Sequence, residues 1–514
     1  MEADSRIHLR RALAALSWAS ALYLLLRVCA FYLAIGDTRR HHLESAAFLF
    51  LLLLLPLVLM RRPPDDRPLA PTSAPRFRPV LTGVGLVAAS LIFYRALLSV
   101  GLLADDYVIV DAAREGRITV WRELFRPVIF LVWRPLVTLT GLPAPLLHAV
   151  NIILHGVNAA VVGLLAHRLL RGRWSGLAAG VLFLWIPSGL EAVAWASGLQ
   201  DVLMTTFVLL FLVFATSEQQ AWTSRGLAIA ALIAGLLTKE TAIAAPLLAA
   251  IIGAGARTSE ARRRIWLMTA VSFVSVAVFL AIRFAVLPLP ASYGPDLTRY
   301  GVKELLVRPF ATLLVPLRDE ELHWAPVLPI GLIAVVVLGL RVAAGRWDGV
   351  AVGFKVAVIG AAMVLAAVGP VLSYFYIDAD LFGSRYLYLA QAGWVLALVA
   401  VLETVTDGRR VVFLPVLGIL LGGWIAAGTL HIALWTEAAR ARDKLLAAAG
   451  ATIPNCSSWA VYGLPASDRG VPLFVNGFPE AARQELPGRI RVAPATLDPG
   501  ECRLTWNGER FVRD

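Results

Sequence analysis

The feature that most constrains this chain is the recurrence of apolar runs long enough to cross a hydrocarbon core, which takes about 17–25 helical residues. Such runs lie near 12–35, 43–60, 79–103, 146–170, 176–190, 199–215, 224–238, 241–257, 265–288, 326–342, 353–374, 386–404 and 411–431. They predict an all-α polytopic membrane protein of about thirteen transmembrane helices. Composition agrees: of 514 residues, 59% are hydrophobic and 16% charged, and the mean hydropathy is +0.73. A soluble chain is roughly 45–50% apolar and about 25% charged, so this one lacks the polar residues to cover itself in water. A soluble enzyme, a disordered chain and a peripheral protein with one anchor are excluded. The first run outlasts the apolar core of a cleavable signal and has no evident cleavage site, so it is expected to be a span.

The net charge is +12, from 47 Lys+Arg and 35 Asp+Glu. The arginines cluster between apolar runs, at 61–78, 168–173, 257–264, 341–355 and 405–410. This is a positive-inside pattern rather than a nucleic-acid surface. It predicts a cytoplasmic N-terminus, and it puts outer loops at 105–145 and 288–325 and the tail after His431 on the opposite side. The expected division is a transmembrane domain over 1–434 and a small extracytoplasmic α+β domain over 435–514. That tail opens on an amphipathic stretch at 435–449 and continues with the β-like runs WAVYG, VPLFV and RIRVAP. Its Asn507-Gly508, flanked by alternating residues, predicts a hairpin. Cys456 and Cys502 are candidates for a disulfide there, with two free thiols the equal alternative. No nucleotide-binding glycine loop or tandem repeat is present.

Candidate chemistry gathers on the outer side. Asp105 and Asp106 follow the third span; adjacent carboxylates there suit proton abstraction from a hydroxyl, or binding of a divalent cation such as Mg2+ or Mn2+, although nothing demands a metal. The stretch 118–145 mixes aromatic residues with Arg122, Arg126 and Arg134 and suits an interfacial helix. His148, Asn151 and His155 share one helical face; the two histidines are about 10 Å apart along it, so hydrogen bonding within the bundle is expected rather than a shared zinc. Glu191, Trp195 and Asp201 belong to the next outer segment. Lys239 and Glu240 lie between two short apolar helices, as a functional pair or an internal ion pair. Arg385, Tyr386 and Tyr388 precede the twelfth span, where Arg385 suits a phosphate.

The ordered segments RPLVTLTGLPAPLLHAVNIILHGVNAAVVGLLAHRL, LFLWIPSGLEAVAWASGLQDVLMTTFVLLF, LLTKETAIAAPLL and RYLYLAQAGW resemble the membrane domain of the TMTC-type protein O-mannosyltransferases and their bacterial relatives, members of the GT-C superfamily of integral-membrane glycosyltransferases. The likeness covers roughly 100–405. It implies a polyprenyl-phosphate sugar donor, a site in the first large outer loop, and inversion at the anomeric carbon. Residue by residue, Asp105 and Asp106 match the loop acids, Arg134 and Pro135 an arginine-proline pair, and His148, Asn151 and His155 a His/Asn/His helix. Glu191, Trp195 and Asp201 match an EAVAW segment, Lys239 and Glu240 a lysine-glutamate pair, and Arg385, Tyr386 and Tyr388 the RYLYL run. Leu199, Gln200, Ser384 and Ala390 depart from the family pattern, and the short tail stands where TMTC-type proteins carry tetratricopeptide repeats.

The expectation is therefore a hexosyltransferase, with mannose one candidate sugar, in the cell's inner (cytoplasmic) membrane. Asp105 or Asp106 would act on an acceptor hydroxyl of a glycan, lipid or protein. Arg134, Lys239, Arg385 and Tyr388 would hold the donor phosphate. His148, Asn151, His155, Glu191, Trp195, Asp201, Glu240 and Tyr386 would support the site. A transporter or flippase for a lipid-linked glycan is the alternative; it would place ionisable groups nearer the bilayer midplane.

Overall fold

A computed structural model describes residues 79–119, 124–141, 144–170, 174–217, 222–256, 258–287, 302–318, 347–371, 377–406, 410–452, 459–486 and 502–513. Helices dominate: α1 (Pro79–Phe93), α2 (Asp105–Arg114), α3 (Pro127–Thr140), α4 (Ala144–Leu170), α5 (Ser175–Trp185), α6 (Leu190–Ala194) and α7 (Leu199–Ala215). They continue as α8 (Trp222–Thr238), α9 (Ala245–Ala254), α10 (Ser259–Val286), α11 (Val302–Leu314), α12 (Trp347–Val368), α13 (Ala390–Thr406) and α14 (Arg410–Thr452).

Local chemistry sets several boundaries. The Thr258 hydroxyl accepts from the Ala261 N–H at 3.1 Å, and Glu260 stands in the first turn of α10; both satisfy the positive end of that helix. Pro187 forces Ile186 into an extended conformation (ψ 119°), because its ring excludes the helical region for the preceding residue. The chain consequently bends by 54° between the helices on either side.

Among the described residues four helices, or five if that bent pair is one span, are long and apolar enough to cross a membrane. The expectation of thirteen spans is not supported. The runs near 12–35, 43–60 and 326–342 lie outside the described residues. Others fold as apolar helices of 10–17 residues; the run at 79–103, for instance, leaves the α-helix at Phe93 for a 3-10 turn, Arg95–Ser99. Hydropathy registers apolar burial, and a short helix inside protein reads like part of a span. Helix α10, by contrast, has Val274 63% and Ile282 59% exposed, a face suited to lipid.

Helix α4 is central, packed against α1, α5 and α7, with His148, Asn151, His155 and Asn158 all buried. Helix α14 runs unbroken for 43 residues, about 65 Å, roughly twice a hydrocarbon core. The amphipathic stretch at 435–449 is therefore continuous with the last span.

Beyond α14 come β1 (Trp459–Tyr462), β2 (Ser467–Asp468), β3 (Val471–Pro472), α15 (Phe478–Glu485), β4 (Cys502–Trp506) and β5 (Phe511–Arg513). One sheet has the order β1-β4-β5, with β1 parallel to β4; β2 and β3 form a second pair. The hairpin forms where Asn507-Gly508 predicts it, with Trp506 opposite Phe511. The Asn507 side chain accepts from the Glu509 and Arg510 N–H groups at 3.0 and 2.9 Å, an Asx turn. Cys456 and the run RIRVAP lie outside the described residues, and with them the disulfide expectation for Cys456 and Cys502.

Candidate active site

The acidic pair divides at once into two environments. Asp106 is completely buried. Its Oδ2 accepts from the Leu103 N–H at 2.9 Å, and its Oδ1 accepts from the Ser197 N–H at 2.7 Å and from the Ser197 hydroxyl. Asp105, one residue earlier, is half-buried and accepts from Asn476 Nδ2 at 2.8 Å. Asp106 thus ties the start of α2 to the 3-10 turn Ala196–Gly198, while Asp105 stays accessible.

Burial pushes the Asp106 carboxyl from 3.8 up to about 7, against the pull of its hydrogen bonds. Between those values the folded chain holds a proton that the unfolded chain has lost. Stability from this group is therefore full below the unfolded value and is lost as pH rises through the folded one. Solubilised protein should melt at a higher temperature at pH 5 than at pH 8, and Asp106→Asn should flatten that difference. An unchanged pH slope in the variant would show that another group governs it.

The residues 195–201 connect Asp106 to three cations. Trp195 Nε1 donates to the Leu103 carbonyl at 3.1 Å, and the Arg385 guanidinium lies 4.8 Å from the Trp195 ring. Gln200 accepts from Arg126, and Asp201 accepts from Lys239 Nζ at 2.6 Å. Arg126 grips Glu240 with two bonds, Nε to Oε2 at 2.9 Å and Nη2 to Oε1 at 2.5 Å. The Arg385 guanidinium pairs with Glu191, whose other oxygen accepts from the Arg385 backbone N–H at 2.8 Å. Tyr386 lies between two of the cations, 4.6 Å from Lys239 Nζ and 4.7 Å from the Arg385 guanidinium, distances suited to cation–π attraction. Three cations face three carboxylates at a largely dehydrated surface.

Lys239 and Glu240 do not pair with each other here. Lys239 is extended (φ −157°, ψ 135°) at the break after α8, and in extended backbone successive side chains diverge. One reaches Asp201 and the other Arg126.

Helix α4 supports the 195–201 segment through Asn151 and the chain before Asp105 through His148. Asn151 Nδ2 donates to the Trp195 carbonyl at 2.8 Å, and His148 Nε2 is 2.8 Å from the Gly101 carbonyl. A Cβ on Gly198 would collide with the Ala192 carbonyl oxygen. Gly198→Ala should therefore cost about 1–3 kcal/mol, as overpacking does, seen as a lower melting temperature. Unchanged melting would mean that the segment has room to move.

Two expected site residues stand elsewhere. Arg134 is exposed on α3, with its guanidinium near Gly116. Tyr388 is completely buried, its hydroxyl 2.7 Å from His155 Nδ1 and 3.3 Å from Asn158 Nδ2, so it braces the bundle behind the cluster. Among the described residues no three His, Cys, Asp or Glu side chains converge as metal ligands. The position that sequence reasoning undervalued is Arg126. It precedes Pro127 just as Arg134 precedes Pro135, and that duplicated Arg-Pro was the available signal. Gln200 stands out in the sequence only as a departure from the family pattern, Ser197 carries no local signal, and Asn476-Gly477 signals only a turn.

No protein-family model matches the chain. Protein O-mannosyl-transferase Tmtc1 of Drosophila melanogaster is 39% identical over 153 residues, 29% of this chain and 17% of that protein. Protein O-mannosyl-transferase Tmtc2 of Drosophila melanogaster is 36% identical over 136 residues, 23% of this chain and 14% of that protein. The matched stretch thus covers under a fifth of the length of either relative.

Proposed function

We propose that this chain is an inverting membrane glycosyltransferase that takes a sugar from a polyprenyl-phosphate donor on the extracytoplasmic face. The observation that carries the reading is the 195–201 segment, which binds Asp106, the neighbour of Asp105, and contacts three cations that are each paired with a carboxylate. Transfer from a lipid phosphate needs both: a base for the acceptor and positive charge at the leaving group. The partial likeness to two proteins named O-mannosyl-transferases makes mannose the first sugar to test. The arginine clusters between the apolar runs, read by the positive-inside rule as cytoplasmic, favour the outer face for the site.

In this reading Asp105 accepts the proton of an acceptor hydroxyl as its oxygen bonds to the anomeric carbon. The bond from that carbon to the phosphate oxygen breaks on the opposite side, and its electron pair leaves with the polyprenyl phosphate. The phosphodiester donor carries one negative charge and the departing monoester a second, which Arg126, Lys239 and Arg385 stabilise as it develops. Asp106 is engaged by three hydrogen-bond donors and fixes the helix that presents Asp105.

Purified protein given radiolabelled polyprenyl-phosphate mannose and a delipidated cell-envelope extract as the source of acceptor hydroxyls should release polyprenyl phosphate and move label out of the lipid pool. Passage of intact donor across liposomes without cleavage would instead establish a transporter.

A further inference from the structure

The C-terminal unit reaches both halves of the site. On the acidic side, the Leu473 carbonyl accepts from the Ala104 N–H at 2.9 Å, and Gly477 (φ +82°) sits so close to the Ala104 carbonyl oxygen that a Cβ would collide with it. Ala104, held between them, has φ +44° and ψ −116°. An alanine adopts such a conformation only where its surroundings impose it, at about 1–3 kcal/mol. The residue it precedes is Asp105. Between the two clamping residues, Asn476 gives its amide N–H to Asp105 Oδ1 at 2.8 Å. On the cationic side, Gly470 packs against Asp380, in the loop that leads to Arg385.

Much of this contact is buried. The Tyr107 and Phe474 rings stack at 6.5 Å, Phe474 meets Phe478 edge-on at 5.1 Å, and the Tyr107 hydroxyl donates to Glu485 at 2.8 Å. A loose cover would not need a completely buried tyrosine or a clash-tight glycine. The unit is built into the site.

We propose that the C-terminal unit completes the catalytic centre and that Asn476 is a positioning residue for Asp105. This role rests on the transferase reading above, in which Asp105 is the base. An amide bonded to one carboxylate oxygen fixes the rotation of the group and leaves the other oxygen free to face the acceptor hydroxyl. Misplacement of a reacting group by about 1 Å costs up to about 100-fold in rate, so one oriented bond at an accessible carboxylate has leverage on turnover and little on stability. The donor cations lie on other elements, and donor affinity is outside its reach.

The test uses the whole 514-residue chain in detergent with radiolabelled polyprenyl-phosphate mannose as probe and a delipidated cell-envelope extract as the source of acceptor hydroxyls, reading released polyprenyl phosphate. Asn476→Ala should lower kcat about 10-fold or more while donor KM stays within about twofold, with melting unchanged because the side chain is exposed. The double variant Asn476→Ala/Asp105→Asn should be no slower than Asp105→Asn alone, since a residue acting through Asp105 has nothing left to position. Wild-type kcat in Asn476→Ala, or additive losses in the double variant, would overturn the positioning role and leave the transferase reading intact. A wild-type protein that releases no polyprenyl phosphate would overturn both.

Discussion

Asp105→Asn is expected to reduce release of polyprenyl phosphate at least about 100-fold, the low end for loss of a general base, with donor KM and melting temperature nearly unchanged. The replacement keeps the shape of the side chain, and its amide oxygen can still accept from Asn476, whose amide lies 2.8 Å from the present carboxylate. What it loses is the capacity to take a proton. Because Asp105 is half-buried rather than enclosed, no desolvated partner is stranded by the change. Asp106→Asn should behave in the opposite sense. Oδ1 of Asp106 accepts from both the backbone and the hydroxyl of Ser197, and Oδ2 accepts from the Leu103 N–H. An amide nitrogen in either position meets a backbone donor, which leaves a buried N–H unsatisfied at about 1–3 kcal/mol. Kinetics and melting measured on both variants separate the chemical acid from the structural one. If Asp105→Asn keeps full turnover while Asp106→Asn loses it without loss of stability, the assignment is reversed.

The sequence carried local signals well and distant partners poorly. The Asn507-Gly508 hairpin was legible because its determinants lie within a few residues: a side chain bonding to N–H groups two and three positions on. The acidic pair and the buried face of α4 were legible for the same reason, as polar groups where a lipid-facing stripe would be apolar. By contrast, Arg126 and Arg134 sit in identical Arg-Pro dipeptides eight positions apart. Which one turns toward Glu240, 114 residues away, depends on how α3 docks rather than on local pattern. The partnership of Asn476 with Asp105 spans 371 residues and leaves no trace in periodicity. Span counting failed where apolar helices stop after 10–17 residues, because hydropathy measures escape from water and is blind to whether protein or lipid provides the refuge.

The second large effect is expected at Arg385, and there stability and chemistry can be taken apart. Glu191 is only 4% exposed and is held by both the guanidinium and the backbone N–H of Arg385. Arg385→Gln removes the charge from one side of a buried pair, and an uncompensated carboxylate in such a place costs about 3–5 kcal/mol. The same change removes a cation from the proposed leaving-group site, worth about 100-fold or more in turnover. A single variant confounds the two losses. The double variant Glu191→Gln/Arg385→Gln removes both charges, and well-matched neutral replacement of a buried pair is often tolerated, so melting should recover most of the way toward wild type. Turnover should not recover, because the developing phosphate charge still lacks its partner. If restoring stability also restores turnover, the Arg385–Glu191 pair is a structural brace, and charge stabilisation must fall to Arg126 and Lys239, each of which already grips a carboxylate of its own.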